Sequence, residues 1–344
     1  MMNFALYRLP HKNHCTRLVQ SHGEPLVLNS LLDLNGQEGF VIAPFHQQED
    51  CPLLLLKPDV IEEIDIPENT AVEPSHTLEI SSDQDSYIRD FSTFHSQLQN
   101  GAFSKIVLSR CCQITASDSL KAEELFMKAC RLYPRMFVAL VSTALSGTWL
   151  MASPEILLEG DGSQWHTMAL AGTMKLDGDD LNTEGENTVW SNKNKEEQQY
   201  VAEYIHQQLL PFARNIVENG PYTARAANLV HLRSDFTFTL NDSNSIGNLL
   251  QNLHPTPAVC GLPKAEAMQF ILEHEYRERK YYSGFVGMLN PHGNTHLYVN
   301  LRSMQILDHE YHLYAGGGLL RESECDKEWQ ETENKLNTMK NVLR

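Results

Sequence analysis

Two glutamates and a lysine stand three and four residues apart in GGGLLRESECDKEWQETENK, residues 316–335: Glu328, Glu331 and Lys335. The segment reads as a Gly-rich turn leading into a helix. At about 100° per residue the three share one flank, beside an apolar stripe of Trp329, Leu336, Met339 and Leu343. Like charges at that spacing repel, so placing them at the rim of an apolar face calls for compensation. Glu197 has a similar setting, four residues ahead of the row Val201, Ile205, Leu209 in another helix. A first-turn acid is also favoured by the helix dipole alone. Carboxylates from two such helices can build an oxygen-rich site for Mg2+, which takes one or two carboxylates plus waters and an anionic substrate. No His or Cys stands beside them at a spacing that suits zinc.

Other residues offer proton chemistry. Lys105, in FSKIVLSR, opens an apolar strand. Desolvated there, a lysine loses proton affinity and can act as a general base; a strand-end lysine reaching out to water has the same sequence. Glu155, in ASPEILLEG, follows a Ser-Pro turn and precedes an apolar run, as either a turn-capping acid or a proton donor. The glycines of AGGGL, 315–319, leave backbone N–H groups open to a carboxylate, or make a tight hairpin end. HKNHC, 11–15, resembles a metal cluster but reads as a solvated loop in a flexible terminus.

The elements that must position these residues come in adjacent strand pairs with helices between. Helices are expected over 84–99, 119–133 and 194–219. Strands are expected over 105–115, 135–143 with 147–153, 166–175 and 228–240, with two more around an Asp-His turn in 295–318. A polar loop precedes the long helix, and residues 1–84 are weakly patterned. Paired strands without steady β-α-β alternation favour an α+β fold with largely antiparallel sheets. With no Pro/Gly linker, residues 1–344 read as one domain. The chain is globular in composition, 42% hydrophobic and 21% charged, and has no membrane-spanning apolar run. Its N-terminal apolar run is too short for a secretory signal. A net charge of −17 argues against nucleic acid as a partner, though local cations or a metal can still receive a small anion. Seven scattered cysteines suit reduced thiols in a cytoplasm.

The ordered series FSKIVLSR, ASPEILLEG, LAGTMK, LVHLRSDF, HPTPAVCGLPK, YYSGFVGMLN, YVNLRS, YAGGGLLRES and EWQETENKL resembles the chorismate-utilising enzymes over residues 85–344, and among them most resembles the isochorismate synthases. The resemblance implies one α+β chorismate-binding domain of two large antiparallel sheets packed together, with helices outside. It implies a Mg2+-dependent conversion in which Lys105 activates water for attack at C2 and Glu155 protonates the departing C4 hydroxyl. Glu197 and Glu331 match the metal ligands, with Glu328 supporting them. Gly172, Thr173, His231, Ala258, Arg302, Gly316 and Lys335 match substrate-binding positions, His231 being a histidine near the ring. Ala171 stands where aminodeoxychorismate synthases carry a lysine, and Ala258 where ammonia-using members carry a threonine. With the short N-terminal portion, these differences point to hydroxylation rather than to an aminating anthranilate synthase type; a salicylate synthase and a non-catalytic binding paralogue are the other readings. The family's K-D-x-x-E-H is here KNKEEQ, with Asn194 and Gln198 replacing an acid and a histidine. The expected product serves either menaquinone or siderophore synthesis, and the expected state is a monomer without an obligatory protein partner.

Overall fold

The computed structural model describes residues 3–68, 77–176, 183–185, 188–226 and 229–344. Its strands form two large antiparallel sheets, of ten and nine strands. The first runs Gly261–Leu262, Lys105–Ala116, Glu310–Leu319, Ser303–Leu307, Gly147–Ser153, Phe137–Thr143, Asn3–Arg8, His14–Gln20, Val60–Asp65, with Leu78–Ile80 also on Lys105–Ala116. The second runs Ala213–Ala226, Leu229–Leu240, Trp165–Lys175, Ile156–Gly160, Thr295–Val299, Phe285–Leu289, Gly39–Ala43, Leu53–Leu56, Leu26–Leu28. Among the described residues six α-helices accompany them: α1 (Gln84–Gln99), α2 (Ala122–Leu132), α3 (Asn192–Leu209), α4 (Ile246–Leu253), α5 (Lys264–His274) and α6 (Cys325–Leu343). The architecture is the α+β pair of antiparallel sheets expected from the sequence.

Alternation along the strands sends one set of side chains between the sheets, as a period of two requires. Phe137 of the first sheet stacks on Tyr298 of the second at 4.2 Å, and Trp149 meets Tyr281 edge-on at 5.6 Å. The opposite faces are covered by helices. Val201, Ile205 and Leu209 of α3 pack with Trp165 and Phe236. Leu336, Met339 and Leu343 of α6 pack with Leu140 and Leu313. Trp329 departs from that stripe. It joins the α1 cluster, edge-on to Tyr87 at 5.2 Å, with the Arg110 guanidinium 3.5 Å from its ring centroid.

Several expectations need correction. The long helix does not reach 219: α3 ends at Leu209, and Ala213–Ala226 is a strand paired with Leu229–Leu240. Leu210 still has helical backbone, but Pro211 has no N–H to carry the helical ladder on, and the mostly exposed strand beyond lacks the alternation that would have marked it. Residues 295–318 hold three strands, because Asn300–Arg302 interrupts the first run before the Asp308 turn. Of HKNHC, residues 11–13 form the expected exposed turn, but His14 and Cys15 open the strand His14–Gln20, where Cys15 is 1% exposed. The weakly patterned N-terminal part contributes strands to both sheets. Residues 177–182 and 186–187 of the expected polar loop, and Asn228, lie outside the described residues.

Candidate active site

The chain crosses between the sheets twice, side by side. Gly147–Ser153 leaves the first sheet through Pro154 and Glu155 into Ile156–Gly160; Thr295–Val299 leaves the second through Asn300–Arg302 into Ser303–Leu307. The two links are tied together. Val299 N donates to Glu155 O at 3.0 Å, Ser153 Oγ to Val299 O at 2.6 Å, and Ala152 N to Arg302 O at 3.1 Å. Arg302 is held at φ +46°, a left-handed backbone that a side chain adopts only when its surroundings impose it. The Glu155 and Arg302 side chains thereby enter one cleft, partly open to solvent. Burial pushes the Glu155 carboxyl up to about 8, against the pull of the Lys105 and Arg302 charges.

Lys105, fully buried at the start of its strand, places Nζ 3.0 Å from Glu197 Oε1. Burial alone would raise the Glu197 carboxyl, but the charges of Lys105 and Lys193 outweigh it and hold the group below its usual range. The other acids are paired with lysines too. Lys193 Nζ donates to Glu328 Oε1, and Lys335 Nζ to Glu331 Oε1 at 2.6 Å. Burial, then the Glu331 charge, raises the Glu328 carboxyl despite Lys193. Glu328 Oε2 is buried without a partner. That oxygen and Glu331 Oε1 lie 3.5 and 3.7 Å from where a Cβ on Gly317 would sit, so the glycine leaves the space between them open. Among the described residues no three His, Cys, Asp or Glu side chains already stand in an arrangement that could hold a metal ion. The donor set nonetheless fits a hard divalent cation. It is all oxygen, and it includes an unpartnered buried carboxylate oxygen.

The opposite wall is built on a bulge. Register shifts between Ala171 and Thr173, and Gly172 there has φ +69° with Asn194 Cβ only 3.1 Å from where its own Cβ would lie. Only glycine meets both demands without strain. His231, opposite Thr173, has Nδ1 3.0 Å from Gly172 O and Nε2 3.2 Å from Arg302 Nη2. Burial, reinforced by the Arg302 and Lys335 charges, holds its pKa well below the usual value. Neutral His231 therefore donates from Nδ1 to Gly172 O and accepts from the guanidinium through Nε2. It aims Arg302. Lys335 also donates to Gly316 O at 2.9 Å, and Ala258 lines the same cleft.

The structure thus gathers Glu155, Gly172, Thr173, Glu197, His231, Ala258, Arg302, Gly316 and Lys335 around one cleft, with Lys105, Glu331 and Glu328 attached through ion pairs. Of the two departures in KNKEEQ, Asn194 packs on Gly172, whereas Gln198 turns into the second sheet and donates to Ala169 O at 3.1 Å. Sequence reasoning passed over Lys193 and Tyr282. Lys193 holds Glu328, and a helix-first-turn lysine gives no sign of that. Tyr282 lines the cleft, its hydroxyl 3.0 Å from where a Gly316 Cβ would be, and its place in YYSGFVG was the available signal.

Comparison with known proteins adds independent findings. The family described as chorismate binding enzyme matches residues 45–344. Isochorismate synthase EntC of Escherichia coli (strain K12) is 31% identical over 242 residues, covering 70% of this chain and 62% of that protein. The salicylate biosynthesis isochorismate synthase of Pseudomonas aeruginosa is 33% identical over 261 residues, 72% of this chain and 52% of that protein. The match therefore spans less than two thirds of either relative. The solved structure of MenF, the menaquinone-specific isochorismate synthase from Escherichia coli, superposes with a TM-score of 0.84 at 23% identity, covering 100% of this chain and 89% of that one, which shows a shared fold.

Proposed function

The chain belongs to the chorismate-binding enzymes, and from that premise we propose that it is a Mg2+-dependent isochorismate synthase. The observation that carries this reading is the convergence on one cleft of a buried lysine, a buried carboxyl pushed up to about 8, and glutamates from two helices. Lys105, acting in its neutral form, takes a proton from water, whose oxygen bonds to C2 of the ring. The ring double bonds shift, and the C4 hydroxyl leaves as water with the proton of Glu155, so the net change is an isomerisation. Two groups with opposed proton duties require environments that separate their proton affinities. Burial keeps Glu155 protonated near neutral pH, as a donor must be.

Arg302, aimed by His231, presents a rigid fork to a substrate carboxylate. Lys335 and the backbone at Gly172, Thr173 and Gly316 complete the anion-binding wall, and Ala258 leaves room for water as nucleophile. Glu197 and Glu331 would hold Mg2+, with Glu328 beside them; the ion supplies charge neutralisation and orientation for the ring carboxylate. No helix among the described residues is long and apolar enough to cross a membrane.

Incubating the purified protein with chorismate and Mg2+ and separating the products tests the proposal. Isochorismate is expected, and Lys105→Ala should abolish it. Absence of isochorismate overturns the reading, whereas fluorescent salicylate with pyruvate would show that a lyase step follows.

A further inference from the structure

The strand Lys105–Ala116 is paired along one edge with Glu310–Leu319 from Ile106 to Thr115. Its other edge is covered only at the ends, where Gly261–Leu262 pairs with Lys105 and Ile106, and Leu78–Ile80 with Ile114 to Ala116. Uncovered strand edges in a protein interior leave polar groups that must find partners. At Val107 and Ser109 side chains supply them. Arg279 Nη2 donates to Val107 O at 2.8 Å, and Ser109 N donates to Glu275 Oε1 at 2.6 Å. The two side chains are bonded to each other, Nε to Oε2 at 2.7 Å and Nη2 to Oε1 at 2.8 Å. They are 1% and 4% exposed. This ion pair offers a donor and an acceptor where a neighbouring strand would.

The same guanidinium reaches further. Arg279 Nη1 donates to Val259 O at 2.6 Å, and Tyr282 N donates to Arg279 O at 2.9 Å. Val107 lies two residues from Lys105, Val259 follows Ala258, Ser109 faces Gly316 across the sheet, and Tyr282 lines the cleft. A buried ion pair contributes little net stability, because desolvation offsets its attraction. Its rigid geometry is the better reason for its presence.

We propose that Glu275 and Arg279 form a positioning pair that sets the spacing between the strand carrying Lys105 and the loop carrying Ala258. The role rests on the reading of Lys105 as base and Ala258 as the residue facing the attacking water. The pair touches neither ring nor metal and acts only through the backbone it holds.

Arg279→Lys tests this, since it keeps the charge and loses the fork. Turnover per folded molecule is measured together with KM for chorismate, thermal unfolding and amide hydrogen exchange. The expected result is a kcat lower by about 10- to 100-fold, the scale of a small misplacement of reacting groups, with KM within about threefold. Exchange should quicken at residues 107–109 and 259–260 and stay unchanged at 137–143. Wild-type kcat, or a loss that merely tracks the unfolded fraction with unaltered exchange at 107–109, overturns the proposal. Should Arg279→Lys fail to fold, Glu275→Gln, whose amide oxygen can still accept from Ser109 N, is read by the same measurements and criteria. A wild-type enzyme that makes no isochorismate refutes the functional reading separately, and the exchange data still decide whether the pair holds these segments.

Discussion

Glu155 shows how a single side chain can set both rate and stability. Its carboxyl ordinarily ionises near 4.5 and is pushed up to about 8 by burial. Between those values the folded protein holds a proton that the unfolded chain has shed. Stability therefore falls as pH rises from about 4.5 towards 8, and below that window the group costs nothing. Glu155→Gln keeps the shape of the protonated acid and removes the titration. It is expected to raise the unfolding temperature relative to wild type at pH 8 and to leave the difference small at pH 4.5, measured by calorimetry at both. The same substitution should lower kcat by about 10²–10⁴-fold, the usual worth of a positioned acid. Wild-type turnover should decline above about pH 8 as the donor ionises; a rate rising through that range would count against Glu155 as donor. The residue types were legible in FSKIVLSR and ASPEILLEG. Their environments were not, because burial and the charges of Lys105 and Arg302 come from segments far away in the chain.

Helices and strands decide how closely the charged groups approach. Gly318 lies on the strand facing Glu197, and a Cβ there would fall 2.1 Å from Glu197 Oε1 and 2.9 Å from Lys105 Cε. Gly318→Ala must push that ion pair aside. The Mg2+ concentration for half-maximal rate is expected to rise about tenfold or more, in line with other disturbed ligand surroundings, and direct Mg2+ titration by calorimetry should weaken in step. The unfolding temperature should change little, since the flexible side chains absorb the shift. The AGGGL run was visible as a backbone without obstruction, but not the reason that the third glycine is needed. At this scale the sequence placed α6, the first turns of α3 and the row from Glu197 to Leu209 correctly. It overran α3 because the pattern beyond Pro211 was read as more of the same helix. It also missed α4, although Ile246, Leu249, Leu250 and Leu253 keep helical spacing and are buried.

The whole molecule is held by contacts between its two sheets. Phe137, fully buried and stacked on Tyr298 at 4.2 Å, joins them near their centre. Phe137→Ala is expected to cost about 3–5 kcal/mol, read from urea unfolding. The strand Asn3–Arg8 lies inside the first sheet, between Phe137–Thr143 and His14–Gln20. Deleting residues 1–20 should therefore abolish cooperative unfolding, whereas a dispensable terminal arm would leave it intact. By itself the sequence determined which residues could donate, accept or bind a cation, the order of the motifs, and the apolar rows that fix helix faces. These are local properties, set by side-chain chemistry and a backbone repeat. Only the tertiary structure decided that three glutamates are each countered by a lysine, that Glu155 and Arg302 ride on adjoining crossovers, and that an ion pair substitutes for a missing strand. Desolvation and Coulomb attraction depend on distance in space, and antiparallel pairing brings together residues as far apart in the chain as Gly39 and Leu289.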